Sequence, residues 1–176
     1  MPMELPDDWH LHVDDIIEHM LDLNIEQARR SKEALVANGP EDLDPMFAWY
    51  MDDGYVPIPI GKLSEATGLH PANVMEMLIP QLRRQLGGTP TLAVLGYEAW
   101  TRNLTPDDKV IPEDEAVVMI VATPRRALYV CMPFAYGDGS VVWGETVATK
   151  CETHELNQFG DMATALWSAF IPVEAN

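Results

Sequence analysis

The sequence predicts an α+β fold: a helical N-terminal half that includes a compact two-helix unit, then a three-stranded antiparallel β-meander packed by a C-terminal helix. Three observations carry this expectation. Val13, Ile16, Ile17, Met20 and Leu23 recur at the helical period, while Asp14, Asp15, Glu18 and Asp22 face away. Gly68 separates two short stretches that are each apolar at helical spacing. The segments VVMIVAT (117–123), ALYVCMPF (127–134) and SVVWGETVAT (140–149) are rich in β-branched and aromatic residues. Turn chemistry at Pro124-Arg125-Arg126 and at Tyr136-Gly137-Asp138-Gly139 divides them.

Taken in order, the first helix begins near Asp7 or Asp8, either of which can cap it, and runs through WHLHVDDIIEHMLDL. Residues 25–37 continue it or form a second helix, ending before Asn38-Gly39-Pro40. Asp44-Pro45 offers an N-cap and a first-turn proline, which predicts a short aromatic helix over MFAWYM (46–51). Asp53-Gly54 stops it, and Pro57 and Pro59 enforce an extended segment. TLAVLGY (91–97) reads as a strand, and LTPDDKVIPEDE (104–115) as a polar loop. A last helix is capped by Thr153, with Leu156, Phe159, Met162, Ala163, Leu166 and Phe170 on the face that packs on the sheet. The chain divides into an acidic helical region (1–56), the two-helix unit (57–90) and the sheet with its helix (91–176), all within reach of one compact domain at 176 residues.

Composition narrows the function classes. Hydrophobic residues make up 47% of the chain, which predicts a packed core rather than an acidic disordered tail. No apolar run reaches the roughly 18 residues of a membrane span, and no basic segment precedes an apolar one near the N-terminus, so neither a membrane partner nor a secretory signal is expected. Cys131 and Cys151 do not make a disulfide framework, and the expected setting is the reducing cytoplasm. The net charge is −17, unevenly spread: 14 acids against 3 bases over 1–56, 12 against 5 over 91–176, and 2 against 3 over 57–90.

That least acidic stretch holds KLSEATGLHPANVMEML (62–78), and over 62–86 it resembles the helix-turn-helix and winged-helix superfamily. In the family pattern Leu63 and Thr67 face inward, Ser64 is the small residue where two helices touch, and Gly68 makes the turn. Leu69, Val74 and Met77 or Leu78 fill the remaining core positions, and Pro71 suits the first turn of the second helix. The resemblance implies DNA-facing positions at His70, Ala72, Asn73 and Glu76, with Asn73 reading an adenine edge and His70 reaching a phosphate. Pro80 is expected to kink the second helix, leaving Arg83 and Arg84 beyond it, and Arg125 and Arg126 resemble a basic wing.

A dimeric regulator using His70, Asn73, Arg83, Arg84, Arg125 and Arg126 to bind nucleic acid is therefore one reading, ranked second. Phosphate neutralisation supplies much of DNA affinity, and the few bases here stand in a repulsive field that dimerisation would double.

The leading expectation is a non-enzymatic regulatory or interaction protein. Helical spacing aligns Asp15, Glu18 and Asp22 in a row that a groove lined with Lys and Arg accepts, so the expected partner is a basic protein, including one whose nucleic-acid site this surface occupies as a mimic. His12, Asp15 and His19 share one helical face at spacing that suits a metal, but a fourth ligand is needed from elsewhere, His10 is only a loose candidate for it, and a solvated face is expected. Cys151-x-x-His154 with Cys131 is read as packing. Without a Gly-framed nucleophile, a phosphate loop or a dinucleotide turn, no catalytic residue, cofactor or metal is expected.

Overall fold

The computed structural model describes residues 13–37, 42–100 and 115–171. The expected helix start at Asp7 or Asp8, the break at 38–40 and most of the 104–115 loop lie outside them. Helix α1 (Val13–Val36) runs unbroken through residues 25–36. Its buried stripe, Ile17, Met20, Leu21, Ala28 and Val36, follows the helical period, and Lys32 falls in the same stripe.

The expected three-stranded meander is corrected by a seven-stranded antiparallel sheet, and the expected helical N-terminal half by one helix followed by a hairpin. The strands are β1 (Met46–Met51), β2 (Gly54–Ile58), β3 (Leu92–Trp100), β4 (Glu115–Ala122), β5 (Arg126–Gly137), β6 (Ser140–Trp143) and β7 (Val147–Glu152). They lie in the order β2-β1-β3-β4-β5-β6, with β7 pairing the other half of β5.

MFAWYM is thus a strand, not a helix. Phe47 and Trp49 enter one core while Ala48 and Tyr50 pack against the other, and period-two burial on both faces outweighs the Asp44-Pro45 helix-start signal. The segment expected as one strand over 140–149 splits at Gly144, whose N–H donates to the Pro133 carbonyl at 2.7 Å. Pro133 has no N–H to offer, and it stands where β5 passes from pairing β6 to pairing β7.

The sheet separates two apolar layers. On one face, Leu92, Val94, Val117, Met119, Val121, Leu128, Val130 and Met132 pack under α1. The alternate residues, among them Ala93, Leu95, Val118, Ile120 and Tyr129, pack under α2 (Ile60–Thr67), α3 (Pro71–Leu86), a 3-10 helix (Thr153–Gln158) and α4 (Asp161–Ser168). The last helix expected from the sequence is therefore two short ones, divided at Gly160, whose φ of 96° a side chain would strain. Of its expected inner face, Leu156, Met162, Ala163, Leu166 and Phe170 are buried, and Phe159 stacks on Tyr129 with ring centroids 4.5 Å apart.

Candidate functional site

Helix α1 lies across β4, β5 and β6. The described residues leave the same face of β1 and β2 uncovered, as a groove of about 1190 Å³. Its floor is Ala48, Tyr50, Tyr55 and Pro57, and its wall is the flank of α1 bearing Met20, Leu23, Asn24 and Gln27. The floor follows from pairing: Tyr50 stands opposite Tyr55 and Ala48 opposite Pro57, so the period-two pattern of both strands points these four side chains to the α1 face. The two tyrosine rings stack 5.1 Å apart. Leu23 and Tyr55 are each 37% exposed at the groove. At the hairpin turn that ends the floor, Asp52 and Asp53 are exposed, whereas Asp44, before Pro45, lies against Gly61 of the next helix. Glu26 also lines the wall, where it is paired with Arg30 at 2.5 Å.

The other end of this face holds a buried ion pair. Lys32 Nζ meets Glu98 Oε1 at 2.5 Å and donates to the Tyr136 hydroxyl at 2.9 Å, with the Phe134 ring 4.7 Å away. Burial disfavours the Lys32 ammonium, but its hydrogen bonds to Glu98 and Tyr136 outweigh that and raise its pKa above the ordinary lysine value. Glu98 also accepts from the Leu43 N–H at 2.9 Å, and its carboxyl oxygens lie within 4.8 Å of those of Asp42 and Glu115. Lys32 pairs with Glu98 alone, so it offsets one of the three carboxylates, and the ion pair fastens α1 to β3.

The residues singled out from the sequence scatter. Of the acidic row, Glu18 is paired with Lys150 of β7, which lowers its pKa, and Asp22 is exposed. The side chain of Asp15, like that of His12, lies outside the described residues, and His19 is exposed. Glu18 and Asp22 follow the flank of α1 facing β7, away from the groove.

Around Gly68 the chain takes the left-handed conformation, φ 71°, and its N–H closes on the Ser64 carbonyl at 2.9 Å. His70 caps α3, its ring Nδ1 accepting from the Ala72 N–H at 3.2 Å. Ala72, expected to face DNA, is buried, whereas Asn73 and Glu76 are exposed. Of the positions expected inside, Val74 is buried and Leu63 and Leu78 pack against the core, whereas Thr67, Leu69 and Met77 are exposed; Met75 and Ile79 are buried beside Val74. Helix α3 also continues through Pro80 to Leu86; Pro80 is on its exposed side and offers no N–H to the Glu76 carbonyl one turn earlier.

Arg83 is half-buried and donates to the Ser168 and Ala169 carbonyls at the end of α4. Arg84, Arg125 and Arg126 are exposed. Arg125 and Arg126 border a second cavity beside the same end of α4, so the fold brings them near Arg83 despite their distance in sequence. Cys131 and Cys151 are free and half-buried, and burial pushes each thiol up to about 11, so neither is a ready thiolate.

The groove is not foreseen by sequence reasoning, because Asp44-Pro45 makes MFAWYM look helical. The signal that could have found it is the alternation of Met46, Ala48 and Tyr50 with Phe47 and Trp49. Lys32–Glu98 is likewise not foreseen, and its signal is a single lysine within the apolar stripe Ile17, Leu21, Ala28, Val36. No protein-family model, curated protein or solved structure matches the chain.

Proposed function

We propose that this is a non-enzymatic interaction protein whose acidic surface docks a basic partner protein, with the groove between α1 and the β1–β2 hairpin as the seat. The groove is the observation that carries the reading. Its apolar floor suits an amphipathic helix, and the exposed Asp52 and Asp53 of the hairpin turn, next to Tyr50 and Tyr55 along the strands, suit Lys or Arg at one end of that helix. The charge of −17 adds long-range attraction for such a partner, which speeds encounter more than it tightens the complex.

The test is capture from nuclease-treated extract of the source organism, comparing the parent with Leu23→Asp/Tyr55→Asp and, separately, Asp22→Lys. Both positions of the first variant are partly exposed, so the fold is expected to survive. Loss of a basic protein with the groove variant, and its retention with Asp22→Lys, supports the reading. The reverse pattern moves the contact to the β7-facing flank of α1 and sinks the groove. Repeating the capture with excess nucleic acid decides mimicry: competition supports it, and indifference leaves an ordinary acidic interface.

A further inference from the structure

The geometry points to a second site, independent of the groove: the cavity between the β4–β5 turn and the end of α4 binds a small phosphate monoester that carries a planar ring, of the nucleoside monophosphate class. The cavity measures about 420 Å³ and is bordered by Arg125, Arg126, Glu152, His154, Trp167 and Phe170, within the range of small-ligand pockets.

Its cationic side is built on a fixed turn. The buried Thr123 receives the Arg126 N–H on its hydroxyl at 3.1 Å and donates its own N–H to the Arg126 carbonyl at 2.8 Å. The buried Thr153 donates its hydroxyl to the Thr123 carbonyl at 2.6 Å and its N–H to the Arg125 carbonyl at 3.1 Å. The backbone under both arginines is thereby held from two sides, while their side chains remain exposed.

Neither arginine has an ion pair with any described residue, in a chain holding 28 acids. The acid best placed to claim one is Glu152, which stands opposite Arg126 in the β5–β7 register. Its carboxylate is otherwise engaged: it accepts from the Glu155 N–H in a reciprocal cap of the 3-10 helix, and it lies 3.3 Å from His154 Nδ1. The C-terminal end of α4 would present its negative dipole to an anion, but Arg83 occupies the Ser168 and Ala169 carbonyls there. Two planar guanidinium groups then suit the tetrahedral oxyanion of a phosphate. Trp167, half-buried in the wall, offers a face on which a planar ring stacks. Glu152 and the overall −17 disfavour a longer phosphate chain, which selects a small ligand over a polymer.

The test is calorimetric titration of the full chain with inorganic phosphate, adenosine monophosphate, adenosine and a single-stranded oligonucleotide. Adenosine monophosphate is expected to bind, with adenosine and phosphate each weaker by about tenfold or more. Arg125→Ala/Arg126→Ala is expected to lose about tenfold or more for the monophosphate with unchanged melting, since both side chains are exposed. Trp167→Leu is expected to weaken the monophosphate while leaving inorganic phosphate unaffected, and Trp167→Phe, which keeps a ring, to restore it. No binding at millimolar adenosine monophosphate, equal affinity for adenosine, or indifference to the arginine pair overturns the proposal. An oligonucleotide binding tighter than the monophosphate also overturns it, because the surface then reads a polymer.

Discussion

Lys32 and Glu98 join α1 to β3 through a 2.5 Å ion pair in which the lysine side chain is fully enclosed and the glutamate nearly so. Removing one member leaves the other buried without its counter-charge, a loss on the order of 3 kcal/mol, whereas replacing both by neutral groups of similar shape is close to neutral. Lys32→Met is the harsher single change, since it leaves Glu98 facing Asp42 and Glu115 without a cation. The expected outcome is that Lys32→Met lowers stability by about 3 kcal/mol and that Lys32→Met/Glu98→Gln recovers most of it. Urea unfolding of the two variants and the parent checks this. A double variant as unstable as the single one would show that the network's contacts matter beyond its charge.

The same pair sets an alkaline signature. The pKa of Lys32 is raised in the folded state above its ordinary value of 10.5, so the folded protein holds that proton more tightly than the unfolded chain. The associated stability is fully present below 10.5 and is lost as pH rises through the raised value. In Glu98→Gln the hydrogen bond and charge of Glu98 no longer raise the Lys32 pKa, and burial pulls it down from the parent's value. Less of the Lys32-linked stability is then left to lose as pH rises. The stability gap between parent and Glu98→Gln is therefore expected to narrow as pH climbs past about 10, measured by urea unfolding at a series of pH values. A constant gap would mean that the lysine charge is not felt by Glu98.

Trp49 is buried completely on β1, its indole N–H directed at the Met51 sulfur at 3.1 Å. Trp49→Ala is expected to cost about 3–5 kcal/mol, as for a large aromatic removed from a packed core, and thermal melting checks it. A surface-like loss would return 46–51 to the helical reading.

This strand also shows what is legible in the sequence. The runs over 117–123 and 127–134 are recognisable because β-branched residues fill both faces of central strands, and α1 because its stripe repeats at the helical period. Hairpin β1–β2 is hidden because Asp44-Pro45 gives the local signal of a helix start, and only pairing with β3, far along the chain, decides between the two. The groove is a consequence of that distant pairing. Lys32 and Glu98 are hidden for the same reason, since no local pattern says which acid a buried lysine will meet.

Gly68 is the turn residue between α2 and α3 with a left-handed φ, and an added Cβ meets nothing within 4 Å. Its replacement is limited by backbone conformation and not by crowding. Gly68→Val is expected to cost about 1–2 kcal/mol, read by thermal melting, with Gly54→Ala as a control in open space. Equal melting of Gly68→Val and the parent would mean that the turn relaxes without cost.

The last expectation concerns duplex DNA. If α3 were a reading helix, its groove-facing residues would have to be free, yet Ala72 is buried, Asn73 is exposed beside Glu76, and Arg83 is committed to the end of α4. On α2 and α3, Lys62 and Arg84 are the exposed bases, and Glu65 and Glu76 stand on the same two helices, so this surface has no net positive charge. Specific binders typically neutralise on the order of 6–10 phosphates. Arg125 and Arg126 add two bases beside α4, still well short of that number and embedded in a chain at −17. No stable complex with generic duplex DNA is therefore expected near about 0.15 M salt, a concentration at which screening already limits attraction to about 8 Å. Arg83→Ala is expected to lower stability by about 1–2 kcal/mol through the lost hydrogen bonds to α4, with no effect on any nucleic-acid measurement. A mobility shift that is lost on Asn73→Ala/Arg84→Ala but kept in Arg83→Ala would show that the exposed side of α3 reads DNA after all, and the interaction-protein reading would give way to the regulator.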